Sequence, residues 1–245
     1  MIVIPMLGKS QRFYNAGYQI PKWQIQLQNR PIFDWSVLSF KQYFGSEKFL
    51  FICREETSEF VIQRASTLGI TDFSIVTIKS DTRGQAETVY LGIKNYESEI
   101  SGDLTIFNID TFRPNYRKAQ LSDKCFGFLE CFYGSGENWS FIEPYDNHSS
   151  KVRRVSEKIQ ISDICCTGLY RFLNFEIFSK AYHTEASNSM YSELFVAPIY
   201  QHIIDANGLV EFDIIKRNEV IFCGTPGELE NILDSNLKLI DIYNM

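Results

Sequence analysis

The stretch Ile2-Val3-Ile4-Pro5-Met6-Leu7-Gly8-Lys9-Ser10-Gln11-Arg12-Phe13 passes from a short apolar run straight into a polar loop with one glycine and two cations. Residues 2–6 read as a buried strand, because a short apolar run beside turn residues suits a strand covered on both faces. Spacing excludes two familiar phosphate loops. Gly8-Lys9-Ser10 ends like a P-loop, but the earlier glycine of that motif falls on Val3. A dinucleotide fingerprint needs glycines where this chain has Ser10 and Phe13, which weakens an oxidoreductase reading. What remains is a strand and loop rich in backbone N–H donors and cationic side chains, able to wrap a triphosphate.

Outward from this loop, strand and helix patterns alternate. Residues 31–44 predict an amphipathic helix with Pro31 in its first turn and Gly45 at its end. Residues 49–53 predict a second strand, 56–68 a helix closed by Gly69, 72–78 a third strand, 86–96 a helix, and 104–109 a fourth strand ending at Asp110. This alternation predicts an α/β class: a three-layer, Rossmann-like α/β/α fold around a mainly parallel, mixed central sheet with right-handed crossovers. The rhythm then changes. Residues 125–133, 139–143, 152–155 and 166–172 read as strands, 176–183 and 193–206 as helices, and 210–215 and 220–223 as late strands. Thr225-Pro226-Gly227-Glu228, a capping box with proline at the first helical position, announces a last helix over 226–233. No Pro/Gly/Ser linker divides the chain. One domain over 1–245 is therefore expected, with a nucleotide-binding half over about 1–115 and an acceptor-binding half over about 116–245. Ligands of open α/β sheets sit beyond the carboxyl ends of the strands, so the loops after Met6, Ile78 and Ile109 should meet at one site.

With 245 residues, 44% apolar and 15% aromatic, the chain can bury a sizeable core. A net charge of −6 argues against nucleic acid as partner, since that needs a basic face. The charge is uneven: residues 1–31 contain no Asp or Glu, yet hold Lys9, Arg12, Lys22 and Arg30. A cationic segment in an acidic chain suits a small anionic ligand. The cysteines at 53, 125, 131, 165, 166 and 223 form no C-x-x-C pair, and the histidines at 148, 183 and 202 lack zinc-ligand spacing. Reduced, buried thiols and no zinc site are expected. A signal-like leader and a membrane-length apolar run are both missing from the sequence, so a cytoplasmic protein without a membrane partner is expected. A homo-oligomer is left open.

Four further segments carry chemistry. Asn108-Ile109-Asp110 puts a lone carboxylate at a strand's carboxyl end, a good seat for Mg²⁺, which takes few protein oxygens beside phosphates. Gly84-Gln85-Ala86-Glu87-Thr88 opens a helix, where glycine lets backbone approach a ligand and the N-terminus favours negative charge. Val155-Ser156-Glu157-Lys158 and Thr167-Gly168-Leu169-Tyr170 follow, then Phe222-Cys223-Gly224-Thr225-Pro226.

Together these segments resemble the sugar-phosphate nucleotidyltransferase family, in which a G-x-G-x-R loop is followed by a Pro-Lys pair, here Pro21-Lys22. The likeness covers most of the chain and is strongest to capsule-biosynthesis-type members. It implies transfer of a nucleoside monophosphate from an NTP to a sugar phosphate or similar small phosphorylated acceptor, with Mg²⁺ as cofactor and pyrophosphate released. By the resemblance, Arg12 grips the NTP phosphates and Lys22 contacts phosphate at the reacting centre. Leu7, Gly8, Lys9 and Ser10 shape the NTP loop, and Gly84 and Gln85 lie beside base and ribose. Asp110 holds the catalytic metal, while Glu157, Lys158 and Gly168 line the acceptor pocket. Asp110-Thr111-Phe112-Arg113-Pro114 is similar to a stretch of certain cytidylyltransferases, which gives CTP a slight preference over dTTP or UTP. Two departures stand out. Ser10 replaces the second glycine of the loop, and Phe222 replaces the Asp that commonly gives a second metal ligand. Either one Mg²⁺ is held by Asp110, phosphates and water, or another acid such as Asp213 or Glu219 substitutes; alternatively, the chain is a nucleotide-sensing subunit that does not turn over. The sequence leaves the acceptor open among a sugar 1-phosphate, a polyol phosphate and a phosphorylated amide.

Overall fold

The first strands alternate their side chains between two cores, which creates the layers. The computed structural model describes residues 1–96, 100–146 and 148–243. In β1 (Ile2–Pro5), Val3 faces one core while Ile2 and Ile4 face the other. After α1 (Gln11–Asn15) comes a small hairpin of β2 (Gln26–Leu27) and β3 (Arg30–Pro31), then α2 (Ile32–Leu38). In β4 (Phe49–Cys53), Leu50 and Ile52 share the core of Val3, and Phe49, Phe51 and Cys53 the opposite one. Next are α3 (Glu55–Leu68), β5 (Phe73–Thr77), α4 (Gln85–Lys94), β6 (Leu104–Phe107) and β7 (Thr111–Phe112). The second half holds β8 (Cys125–Tyr133), β9 (Ser140–Pro144), β10 (Val152–Glu157), β11 (Ile164–Phe172), α5 (Phe175–Asn188), α6 (Ile199–Asp205) and β12 (Leu209–Ile215). The chain ends with β13 (Ile221–Phe222), α7 (Pro226–Asp234) and α8 (Leu239–Ile242).

One nine-stranded sheet runs in the order β10-β9-β11-β6-β1-β4-β5, with β8 paired to β11 and β12 to β8. The strands β6, β1, β4 and β5 are parallel. Beyond them β11 turns antiparallel to β6 and β8, whereas β12 is parallel to β8. Helices α4, α5 and α6 cover one face; α2, α3, α7 and α8 cover the other. The expected α/β/α fold with a mixed sheet is therefore present. Because β4 lies on one side of β1 and β6 on the other, the strand order reverses beside β1, where a crevice opens at the carboxyl ends.

Two helices differ from expectation. The pattern over 31–44 gives α2 only to Leu38, followed by a 3₁₀ turn at Lys41–Tyr43. The break lets Phe40 enter an aromatic cluster, 5.0 Å from Phe107 and 5.1 Å from Tyr116 between ring centroids. The helix expected over 193–206 begins at Ile199. Pro198 cannot sit inside a helix, and the backbone of Leu194 is engaged elsewhere: its N–H donates to the Arg83 carbonyl (2.7 Å) and its carbonyl accepts from Ala86 N–H (3.0 Å). The capping box at α7 forms as expected, with Thr225 Oγ1 accepting from Glu228 N–H at 3.2 Å.

Candidate active site

A cleft of about 1030 Å³ lies beyond the carboxyl ends of β1, β4, β5 and β6 and extends along β10 and β11. All twelve residues singled out from the sequence line it: Leu7, Gly8, Lys9, Ser10, Arg12, Lys22, Gly84, Gln85, Asp110, Glu157, Lys158 and Gly168.

The N-terminal lip is held by Ser10. This residue adopts the left-handed conformation (φ 53°, ψ 25°) that glycine takes most easily. Its hydroxyl offsets that cost by accepting from the Lys22 N–H at 3.1 Å, tying the loop to the Pro-Lys segment. Phe13, fully buried, anchors α1, and exposed Arg12 sits on that helix at the cleft. Lys9 is engaged at the wall, donating to Asp81 at 2.6 Å; Asp81 also receives Arg54 from just beyond the end of β4.

At the centre, the Lys22 ammonium donates to Asp110 Oδ2. The side chains retain 19% and 17% of their exposure, so this pair is partly open to solvent. Hydrogen bonding of Cys223 N–H to the Asp110 carbonyl (2.8 Å) brings β13 and Gly224 alongside. A Cβ on Gly224 would stand 2.8 Å from Asp110 Oδ2 and 3.7 Å from Glu228 Oε2, so the space beside Gly224 is flanked by two carboxylates. An ammonium already on Oδ2, and room beside it, fit a cation held by Asp110. Among the described residues no group of three or more His, Cys, Asp or Glu is arranged to hold a metal. Asp213 and Glu219 do not replace the missing acid. Both are exposed and outside the cleft lining, and Glu219 caps the Lys216 N–H at 2.9 Å. Phe222 lines the cleft as a packed ring, 4.5 Å from Trp139 and 5.2 Å from Phe132.

Gly84 also answers to a neighbouring segment of the chain. A Cβ there would lie 2.5 Å from the Leu194 carbonyl, and φ is 146°, so the glycine admits the 194 backbone at the edge of the cleft. Gln85 Nε2 donates to Asn108 Oδ1 at 2.6 Å, and Asn108 N–H donates to the Gly168 carbonyl at 3.2 Å. At the far end, burial pushes the Glu157 carboxyl above the usual range, opposed by the Ser140 hydroxyl it accepts and by the charge of Lys158. The Lys158 ammonium lies 4.2 Å from the centre of the Phe195 ring. Arg113 is not in the cleft; its guanidinium is buried against Glu130.

Sequence reading missed Arg54, Asn108, Trp139 and Phe195 as lining residues. The carboxyl-end rule, applied to the second and fourth strands, would have found Arg54 and Asn108; nothing local flags Trp139 and Phe195.

A solved structure of the nucleoside-diphosphate-sugar pyrophosphorylase from Vibrio cholerae RC9 is 43% identical over 96% of this chain and 100% of its own, with a TM-score of 0.92. The chain belongs to the nucleoside-diphosphate-sugar pyrophosphorylase family. Members of this family are nucleotidyltransferases, and the enzyme class follows from that membership. At lower identity the fold alone is shared. The inositol-1-phosphate CTP transferase of T. maritima matches at TM-score 0.74 and 15% identity over 97% of both chains. The UDP-glucose pyrophosphorylase of Acinetobacter baumanii matches at TM-score 0.67 and 14% identity, over 95% of this chain and 91% of its own. No protein-family model and no curated protein sequence matches this pyrophosphorylase-family chain. No described helix is long and apolar enough to cross a membrane.

Proposed function

We propose that the chain transfers a nucleoside monophosphate from an NTP to a sugar phosphate or similar small phosphorylated acceptor in the cytoplasm, releasing pyrophosphate, in the making of surface-polysaccharide precursors of the capsule type. The observation that carries the reading is the presence of Arg12, Lys22 and Asp110 around one cleft at the strand-order reversal. An acceptor phosphate monoester is largely a dianion at neutral pH, with a second pKa of about 6, so its oxygen attacks the α-phosphorus without a catalytic base. The new P–O bond forms in line as the bond to the β-phosphate oxygen breaks, and pyrophosphate carries away the electron pair. Leu7, Gly8, Lys9 and Ser10 hold the triphosphate with Arg12. Lys22 moves from Asp110 to phosphate and offsets charge on the leaving group. Asp110 is the residue that holds Mg²⁺, which when bound supplies charge neutralisation to the phosphates. Gly84 and Gln85 border the base and ribose; Glu157, Lys158 and Gly168 border the acceptor.

Among NTPs we place CTP first, on the likeness of the 110–114 stretch to cytidylyltransferases. The Arg113 side chain of that stretch meets Glu130 beneath the cleft and does not line it. The deciding experiment is pyrophosphate release with Mg²⁺ from four NTPs crossed with sugar 1-phosphates, polyol phosphates and phosphorylated amides. Release with one pair supports the reading, most strongly if the NTP is CTP. NTP binding with no pyrophosphate from any acceptor overturns it.

A further inference from the structure

Arg113, left outside the cleft, and the buried acid it meets have no part in the reaction above. Arg113 Nε donates to both Glu130 oxygens at 3.1 Å, and Nη1 donates to the carbonyls of Pro114 (3.2 Å) and Glu219 (3.4 Å). The Arg113 backbone N–H donates to Ser39 Oγ at 2.8 Å. Glu130, on β8, also accepts the Thr167 hydroxyl at 3.2 Å, and that hydroxyl oxygen accepts the Leu169 N–H at 3.3 Å. One ion pair thus ties together three segments: the loop after Asp110, the part of β11 around Gly168, and the turn at Glu219 that leads into β13 and Gly224. The same segments meet each other through Asn108 N–H to the Gly168 carbonyl (3.2 Å) and Cys223 N–H to the Asp110 carbonyl (2.8 Å).

Stability gives little reason for charge at this point. The two side chains keep only 8% and 5% of their exposure, and a buried ion pair is often no better than apolar residues of equal volume. A guanidinium, in contrast, offers several donors in a rigid plane and can fix several acceptors at once. We propose that Arg113 and Glu130 are positioning residues, which set the mutual placement of Asp110, Gly168 and Gly224 and thereby the rate of nucleotidyl transfer without touching substrate. The kinetic side of this inference rests on the proposed reaction; its structural side does not.

Three variants test it: Glu130→Gln, Arg113→Lys, and the double variant Arg113→Met with Glu130→Leu, which leaves no unpaired buried charge. In each folded variant kcat is expected to fall about 10- to 100-fold, because small misplacements at a reacting centre cost that much, while the KM for NTP changes less than about threefold. Amide exchange by NMR at Asn108 and Cys223 is expected to quicken at least tenfold. The Ile2 N–H, bonded to the Lys48 carbonyl at 2.8 Å far along the sheet, is the control and stays protected. A double variant with wild-type kcat and wild-type exchange at both amides overturns the proposal. So does exchange that quickens equally at Ile2, which marks a merely structural pair. If wild-type protein releases no pyrophosphate from any NTP and acceptor, the reaction fails instead, and the exchange pattern still decides the positioning role.

Discussion

Two ion pairs flank the same short stretch, and they differ in depth. Lys22–Asp110 keeps almost a fifth of its exposure, whereas Arg113–Glu130 is nearly sealed. A partly exposed pair loses little when a partner is exchanged, because water and salt already compete for it. A sealed pair cannot release either member without leaving a buried charge uncompensated. The first therefore suits groups that must change partner when a triphosphate arrives, and the second suits a fixed support. Charge alone does not separate moving parts from scaffolding; depth does.

The strongest way to break this contrast is at the exchangeable pair. Lys22→Ala or Asp110→Ala is expected to reduce kcat at least on the order of 100- to 1000-fold, as removal of one preorganised charge does. Circular dichroism and the melting curve should stay close to wild type. Normal turnover in either variant, with a substrate pair known from the pyrophosphate screen, removes these residues from the reaction.

Next in size is the sealed pair. Glu130→Ala should destabilise the fold by roughly 3–5 kcal/mol, the usual cost of orphaning a buried partner. Urea denaturation measures it, and a loss below about 1 kcal/mol would make this pair no different from a surface one.

A finer probe asks whether Lys22 stands where a cation goes. Its ammonium sits on Asp110 Oδ2, so free protein should bind Mn²⁺ weakly, and Lys22→Met should bind it several-fold more tightly in a paramagnetic relaxation titration. Equal affinity in both proteins would mean that Lys22 and the metal do not share that oxygen.

The smallest expected effect lies at the acceptor end. Burial raises the Glu157 carboxyl, so the folded state binds this proton more tightly than the unfolded chain does. Stability is then lost as pH rises from the unfolded pKa through the folded one. Glu157→Gln should melt slightly higher than wild type at pH 7, and the difference should vanish in acid, below the unfolded carboxylate range of about 4.3. Acceptor KM should rise while NTP KM holds. A variant that melts lower at pH 7 contradicts the sign.

Much of this was written locally. The alternation of strands and helices up to Asp110, the cationic loop without acids, and the capping box at Thr225 follow from hydrophobic period and turn chemistry, which act over a few residues. The family likeness rested on segments of the same short range. Tertiary structure alone decided what those segments meet. Pro198 and the Leu194 backbone cut short a helix that its pattern favoured, and Gly84 answers to Leu194. Arg113 turned out to be buried against Glu130, and Phe222 to pack on Trp139. Partners of this kind come from distant parts of the chain, and a side chain's environment is fixed by the packing of whole layers. Sequence spacing therefore determined which groups could do the chemistry, and only the folded sheet decided which of them face the cleft.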